Sequence, residues 1–231
     1  MKTIGLIGGM SWESTQTYYR LINQNVRTAL GGLHSAKVVL YSVDFAEIET
    51  LQHQGNWQAT AEILAAAGKA VEAAGADFLV LCTNTMHKVA EPLEAAVSIP
   101  LLHIADATAQ VLQQQGITCV SLLGTRFTME QAFYIERLQS HGIEVVVPTE
   151  PQRERVHSVI YQELCLGVVK ADAKADYLEI VASLAERGAQ GVILGCTEIG
   201  LLIQQADTSV PLFDTTEIHA EQAVQRALER G

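Results

Sequence analysis

The chain has 231 residues, of which 48% are hydrophobic and 18% are charged, a composition typical of a folded protein and not of a disordered one. Its formal net charge of -11 argues against nucleic acid or an anionic membrane surface as a partner, because both require a basic protein surface. If the ligand is anionic, local hydrogen-bond donors must capture it.

The N-terminal stretch MKTIGLIGGMSWES is a short apolar run broken by glycines. It predicts a first strand and not a signal peptide, because it has one lysine and no small-residue cleavage site. No apolar stretch reaches the roughly 18 residues of a membrane span. The cysteines form no Cys-x-x-Cys pair and no metal-ligand spacing with the histidines, which predicts reduced thiols, a cytoplasmic protein and no metal site. They are Cys82, Cys119, Cys165 and Cys196.

Short apolar runs alternate along the chain with stretches of helical periodicity. The runs predicted as buried strands are Thr3–Ile7, Val38–Tyr41, Phe78–Leu81, Leu101–Ile104, Cys119–Leu123, Val145–Val147 and Val192–Leu194. Helices are predicted between them, for example over Ala59–Ala74 and Ala175–Glu186. This alternation predicts an α/β fold with mainly parallel sheets. The length allows either one domain or two lobes of roughly 100 residues each.

Two distant stretches of the chain match each other. GADFLVLCTNT begins at Gly75 and GAQGVILGCTE begins at Gly188, so the offset between them is 113 residues. Each stretch has Gly-Ala, an apolar strand and then a turn of small polar residues. In this register Thr83 lies opposite Cys196.

The match extends to both sides of these stretches. Downstream, SIPLLHIADATAQ matches SVPLFDTTEIHAE after a two-residue length change, and upstream IGLIGGMS resembles VSLLGTRFT. The chain is therefore predicted to be a duplicated α/β lobe with a pseudo-twofold axis. We expect lobe 1 to comprise 1–98 plus 212–231 and lobe 2 to comprise 99–211, with the active site in the cleft between them.

The ends of the two matching strands are the predicted site. In open parallel sheets ligands bind beyond the carboxyl ends of the strands, where the turns at Thr83 and Cys196 lie. Cys82 is then expected to point back into the packing of its strand, as a small hydrophobic residue. Cys196 is followed by Thr-Glu-Ile-Gly-Leu-Leu, and a helix N-terminus there would favour its thiolate. One proton-transfer group on each face of a carbon is what inversion of stereochemistry requires.

Four motifs resemble those of the aspartate/glutamate racemase family: GLIGGMSWEST, CTNTMH, YQELCLG and GCTEIGLL. The resemblance covers essentially the whole chain. It implies a cofactor-independent enzyme built from two similar α/β lobes, which racemises acidic amino acids and needs no pyridoxal phosphate (PLP). It also implies that the L-form is the favoured substrate. Dimers are common in the family, so a homodimer is an open alternative to a monomer.

The first reactive position departs from the family pattern. Most members have cysteine at both positions, whereas the first motif here reads Thr-Asn-Thr, so Thr83 takes the place of one catalytic cysteine. A hydroxyl is a poorer base than a thiolate, so we expect the two directions to differ in rate. Two alternatives stay open: a decarboxylase or cis–trans isomerase of the same superfamily, for which one cysteine delivers one proton, and an amino-acid-binding protein with impaired catalysis.

Polar groups near the strand ends are the candidates for substrate binding. Gly5-x-x-Gly8-Gly9 does not fit the dinucleotide pattern and predicts a turn of close backbone approach. His87 and His219 could each orient a ligand or be ordinary helix histidines, and Arg126 is an available cation. The predicted binding residues are Met10, Ser11, Gln52, Asn84, Thr85, Thr125, Thr197 and Glu198.

Overall fold

The structure is a computed structural model that describes residues 1–229. Its strands are β1 (Ile4–Gly8), β2 (Val38–Ser42), β3 (Phe78–Leu81), β4 (Leu101–Leu102), β5 (Cys119–Gly124), β6 (Glu144–Val146), β7 (Val192–Gly195) and β8 (Leu212–Asp214). Its helices are α1 (Trp12–Leu30), α2 (Phe45–His53), α3 (Trp57–Ala73), α4 (Ala90–Ala95), α5 (Ile104–Gln114), α6 (Arg126–Glu130), α7 (Ala132–Ser140), α8 (Glu150–Gln162), α9 (Ala171–Glu186), α10 (Ile199–Leu202) and α11 (Thr215–Leu228). The predicted α/β alternation is confirmed.

The strands form two four-stranded parallel sheets with the same internal order. The first sheet has the order β2-β1-β3-β4, and the second has the order β6-β5-β7-β8. Every strand pair in both sheets is parallel. Because the second set of four strands repeats the topology of the first, the predicted duplication is confirmed.

The strand pairing also agrees with the sequence register of the repeat. Ile7 pairs with Leu81 in the first sheet, and Leu123 pairs with Leu194 in the second. Leu81 and Leu194 are separated by the same 113-residue offset that aligns Thr83 with Cys196. Each of the two candidate reactive residues therefore follows the equivalent strand of its own sheet.

The chain divides into two compact units. Within the described residues, unit 1 is Met1–Ile104 with 219–229, and unit 2 is Ala105–Ile218. The expected boundaries assigned β4 to lobe 2 and β8 to lobe 1, whereas β4 pairs with β3 in the first sheet and β8 pairs with β7 in the second. Each of these short strands forms the edge of the sheet that contains the preceding strand: β4 lies beside β3, and β8 lies beside β7. Residues 230 and 231 of the expected lobe 1 lie outside the described residues.

Alternate residues of β3 face two separate apolar clusters. Leu79 and Leu81 pack with helix α3, whereas Phe78 and Val80 pack with helices α1 and α11. This two-residue alternation is what a strand covered by helices on both faces produces. Both clusters lie within unit 1, and they make β3 a rigid support for the turn that follows it.

Unit 2 has a corresponding core on one face of β7. Val192 and Leu194 pack with side chains from helices α8 and α9, among them Tyr177. Cys196 packs against the edge of the same cluster. No helix within residues 1–229 is both long enough and apolar enough to cross a membrane.

Close packing between β1 and α3 leaves no room for a side chain at Gly5. A Cβ atom there would contact Val71 Cγ1 and would lie 2.8 Å from the Ala76 Cβ and 3.0 Å from the Phe78 carbonyl oxygen. We predict that Gly5→Ala lowers the free energy of unfolding by about 1–3 kcal/mol, the usual cost of overpacking. Urea denaturation measures the loss.

Truncation of the nearest neighbour supplies the control for Gly5. By itself, Val71→Ala is expected to lower stability. Combined with Gly5→Ala, it should recover part of the stability that Gly5→Ala loses, because it removes the closest contact. A Gly5→Ala variant as stable as the parent would contradict this packing.

Candidate active site

Thr83 lies at the carboxyl end of β3. It is the second residue after Leu81, and its side chain is partly exposed. Its backbone N–H donates to the Leu81 carbonyl oxygen at 2.9 Å. Within residues 1–229 its hydroxyl has no hydrogen-bond partner. The hydroxyl is therefore available to a ligand, and no described side chain forms a hydrogen bond to it that could draw off its proton.

Cys82 is part of the core and not of the site. Its side chain is fully buried among Phe78, Val80 and Tyr18, and its thiol points to the Val80 carbonyl oxygen at 3.9 Å. Burial raises the pKa of Cys82 far above its ordinary value. The prediction that Cys82 packs within its strand is confirmed.

A short 3-10 helix, Thr85–Val89, follows Thr83 and carries His87. Asn84 and Thr85 are at most 9% exposed. The Gln52 amide nitrogen lies 2.9 Å from the sulfur of Met86, so Gln52 supports this turn from helix α2. These three predicted binding residues all belong to the surroundings of Thr83 in unit 1.

The other two predicted residues of unit 1 follow β1. Met10 is 5% exposed and packs in the apolar cluster with Ile7. The Ser11 hydroxyl caps helix α1, because it accepts a hydrogen bond from the Ser14 N–H at 3.2 Å. The glycine turn before them is tight, since the Gly9 N–H donates to the Thr15 hydroxyl at 2.8 Å.

Cys196 lies at the carboxyl end of β7, and its thiol donates a hydrogen bond to a carboxylate. The acceptor is Glu198 Oε2, at 3.0 Å from the sulfur. Desolvation raises the pKa of Cys196 well above its ordinary value, and the negative charge of Glu198 raises it further. The resting side chain is therefore a thiol.

The expectation that a helix N-terminus favours the Cys196 thiolate is wrong. The helix after it, α10, is a single turn, and the Cys196 carbonyl oxygen accepts from the Ile199 N–H at 3.1 Å. So short a helix supplies too little positive potential to outweigh desolvation and a carboxylate at 3.0 Å. Glu198, predicted as a binding residue, is the immediate hydrogen-bond partner of the thiol.

The remaining candidates of unit 2 are held in local hydrogen bonds. The Thr197 hydroxyl accepts from the Thr216 hydroxyl at 3.2 Å. The Thr125 hydroxyl caps helix α6 by accepting from the Thr128 N–H at 3.4 Å. Arg126 forms an ion pair with Glu154 at the surface, so its charge is already neutralised by a neighbour.

Sequence reasoning missed two features of the site. The bond between Cys196 and Glu198 was accessible from the Cys-Thr-Glu spacing, since a carboxylate two residues beyond a thiol can fold back onto it in a turn. The contact of His87 with the Thr83 carbonyl oxygen, at 2.8 Å, was not accessible, because it depends on the path of the 3-10 helix.

Comparison with known proteins identifies the family. Residues 7–223 match the family model for Asp/Glu/Hydantoin racemase. The chain belongs to this family. It is an enzyme of the racemase class, and the resemblance drawn from its four sequence motifs is confirmed.

Individual relatives agree with this assignment over nearly the whole chain. A Yersinia pestis protein with a provisional Asp/Glu racemase assignment is 57% identical, with 99% of this chain and 100% of that chain covered and a TM-score of 0.95. An aspartate racemase homologue from Pyrococcus horikoshii is 37% identical, with coverages of 99% and 100% and a TM-score of 0.88. The broad specificity amino-acid racemase RacX from Bacillus subtilis is 24% identical, with 96% of each chain covered.

The same fold occurs in an enzyme of a different reaction class. A variant of arylmalonate decarboxylase, solved in its liganded form, is 12% identical, with 100% of this chain and 94% of that chain covered and a TM-score of 0.57. At this identity the likeness concerns the fold alone.

The thiol environments predict distinct reactivities toward iodoacetamide. Cys165 is exposed and should react first, Cys82 is buried and should not react in the folded protein, and Cys196 should react slowly at neutral pH and faster as the pH rises. Quenched alkylation followed by peptide mass spectrometry measures the three rates.

Glu198→Gln supplies a matched variant for the same assay. Removal of the carboxylate charge lowers the pKa of Cys196 and should therefore accelerate its alkylation at a given pH, while the rate at Cys119, whose pKa is raised by burial and Glu144, stays the same. An unchanged Cys196 rate would contradict the contact between the thiol and the carboxylate.

Proposed function

We propose that this protein racemises aspartate and glutamate without PLP, by proton transfer at Cα between Cys196 and Thr83. The observation that carries the proposal is the equivalence of these two residues. Each follows the same strand of two sheets that share order and register. Inversion at Cα requires that the two groups approach the carbon from opposite faces.

The contact of Cys196 with Glu198 supports a role for the carboxylate in forming the thiolate. In the proposed step, the S–H proton moves to Glu198 along the 3.0 Å hydrogen bond as the sulfur removes the α-proton, because the negative charge of Glu198 opposes a standing thiolate. The electron pair left at Cα delocalises into the α-carboxylate of the substrate. Positioned general bases of this kind typically contribute about 10²- to 10⁴-fold in rate.

Thr83 is proposed to supply the proton on the opposite face. Its hydroxyl donates to the Cα carbanion, which is a far stronger base than an alkoxide. Water then reprotonates the Thr83 oxygen, and the hydroxide formed takes the proton held by Glu198, which restores the resting site. In the reverse direction the hydroxyl must act as the base, and no described side chain is placed to assist it. We therefore propose that the L-form delivers its proton to Cys196 and is turned over with the higher kcat.

Substrate capture depends on local donors, since the net charge of -11 repels an acidic amino acid at long range. The turns after β3 and β7 offer backbone N–H groups together with the hydroxyls of Thr83 and Thr197. A reduced thiol at Cys196 fits the reducing environment of the cytoplasm, which we propose as the location.

A decarboxylase is the second candidate, and the observation that favours it is the single thiol. Thr83 replaces one of two cysteines, and one thiol is enough to protonate one face of a carbanion formed by loss of carbon dioxide. The fold also accommodates a decarboxylase. Chiral chromatography of L-aspartate and L-glutamate reactions, run with carbon dioxide detection, separates the two. D-product without carbon dioxide supports racemisation, and carbon dioxide without inversion contradicts it.

Replacement of Cys196 tests the thiol. Cys196→Ser should keep the fold, yet lower kcat on L-aspartate and L-glutamate by about 10²- to 10⁴-fold, because a hydroxyl supplies no comparable base. Cys82→Ala is the control at the adjacent strand end, and it should lose on the order of 1 kcal/mol of stability while retaining kcat. Near-parental turnover by Cys196→Ser, or a folded but inactive Cys82→Ala, would overturn the assignment.

Replacement of Thr83 tests the second proton-transfer group. Thr83→Ala should lower inversion by about 10²-fold but leave exchange of the L α-hydrogen through Cys196, whereas Thr83→Ser should retain inversion. Thr83→Cys should raise kcat for the D-form, because a thiol is the better base. The assay is enantiomer-resolved racemisation, and equal rates for Thr83→Ala and the parent would remove Thr83 from the mechanism.

A further inference from the structure

Three of the seven histidines of the chain are gathered in the interior of unit 1. His87, His103 and His219 are 2%, 5% and 0% exposed. The ring centroids of His87 and His103 are 4.5 Å apart, and those of His87 and His219 are 5.9 Å apart. Protonation of any ring in this buried cluster beside the Thr83 turn would be costly, because the resulting charge would be desolvated. The proposed racemisation leaves it unused.

The hydrogen bonds of His87 fix its tautomer. Its Nε2 lies 3.2 Å from the Ile104 backbone nitrogen, which is a donor, so Nε2 must be the unprotonated acceptor. Its Nδ1 lies 2.8 Å from the Thr83 carbonyl oxygen, so Nδ1 must carry the hydrogen and donate it. His87 is therefore neutral and joins the Thr83 turn to the start of helix α5.

His219 carries the opposite tautomer. Its Nε2 donates to the Leu102 carbonyl oxygen at 2.8 Å, and its Nδ1 accepts from the Tyr18 hydroxyl at 2.9 Å. Leu102 and Ile104 flank His103, so the two histidines hold the chain on both sides of the third. This arrangement fixes the segment from β4 to α5 against the 3-10 helix that follows Thr83.

The surroundings of His87 keep it neutral. The titratable groups that face it are His103, from the end of β4, and His219, from helix α11, with Tyr18 of α1 beyond His219. Burial lowers the pKa of His87 well below its ordinary value, and His103 and then His219 lower it further. Burial likewise lowers the pKa of His219 to about 4. Protonation of Nε2 would break the bond from the Ile104 N–H.

We propose that His87 is a positioning residue that holds the backbone of Thr83 so that its hydroxyl meets the substrate at the correct distance. The inference rests on the proposed function, in which Thr83 is a proton-transfer group. His87 does not act as a base for the Thr83 hydroxyl, because both ring nitrogens are bonded to backbone atoms. Misplacement of a reacting group by about 1 Å can cost on the order of 10²-fold in rate, so a fixed backbone at Thr83 matters for turnover.

Two variants of His87 separate its two hydrogen bonds. His87→Asn places an amide N–H near the position of Nδ1 and keeps a donor for the Thr83 carbonyl oxygen. His87→Gln reaches the position of Nε2, keeps an acceptor for the Ile104 N–H and loses the contact with Thr83. His219→Asn is the matched control, because it disturbs the same cluster without contact to Thr83.

The assay measures kcat, KM and the melting temperature of the three variants with L-aspartate and L-glutamate. His87→Gln should lose about 10- to 100-fold in kcat, with a smaller rise in KM because the same turn also binds the substrate, and His87→Asn should lose less. His219→Asn should lower the melting temperature as much as His87→Gln does, without a comparable loss in kcat. A kcat loss that follows the melting temperature equally in all three variants would overturn the inference, as would full turnover by His87→Gln.

Nitrogen-15 NMR of the histidine rings tests the geometry without an activity assay. His87 should show the Nδ1–H form and His219 the Nε2–H form, both without titration between pH 8 and 6. A His87 ring that titrates near its ordinary pKa of about 6.5 would contradict the inference. Absence of racemisation by the parent enzyme would reject the proposed function itself, whereas an active parent with an active His87→Gln would reject the role of His87 alone.

Discussion

Parallel pairing of β3 with β1 and of β7 with β5 determines where the candidate reactive groups lie. Ile7 pairs with Leu81, and Leu123 pairs with Leu194, so both strands end at the same level of their sheets. A one-residue slip in either pair would bring Cys82 or Thr197 to the reactive position in place of Thr83 or Cys196. The buried apolar residues on both faces of these strands oppose such a slip.

Desolvation disfavours the charged forms of buried thiols and imidazoles in this protein, and the consequence for each group depends on its neighbours. Cys82 is surrounded by apolar side chains and stays an unreactive thiol. Cys196 is also desolvated, but its thiol donates a hydrogen bond to a carboxylate at 3.0 Å, the group that we propose accepts its proton. His87 is kept neutral, and its two ring nitrogens can therefore bind one donor and one acceptor of the backbone. Desolvation thus acts on a core residue, Cys82, on the proposed proton-transfer group, Cys196, and on the proposed positioning residue, His87.

Much of the fold was predictable from sequence, because buried parallel strands are continuous apolar runs that the duplication makes visible twice. The helix expected over Ala59–Ala74 is observed as Trp57–Ala73, and Phe78–Leu81 is observed with the predicted bounds. The expected lobe boundaries at β4 and β8 differed from the observed sheets although the repeat carried the signal, because SIPLLHIADATAQ follows β3 as SVPLFDTTEIHAE follows β7.

The site was less predictable than the fold, because protonation depends on neighbours that lie close only after folding. The sequence indicated Thr83 and Cys196 through the repeat. It also predicted that the surroundings of Cys196 favour its thiolate, whereas they raise the pKa of the thiol. A following helix was expected, and its length of one turn could not be seen from the residues. The histidine cluster joins positions from 87 to 219 and has no local sequence signal.

Deuterium partition during a single conversion tests the central claim most directly. L-aspartate is converted in heavy water, the reaction is stopped at low conversion, and both enantiomers are isolated and examined for hydrogen or deuterium at Cα. The two-group account predicts that the D-product carries deuterium while the recovered L-substrate still carries hydrogen, because the proton is removed on one face and supplied on the other. D-product that retains the original hydrogen would contradict it.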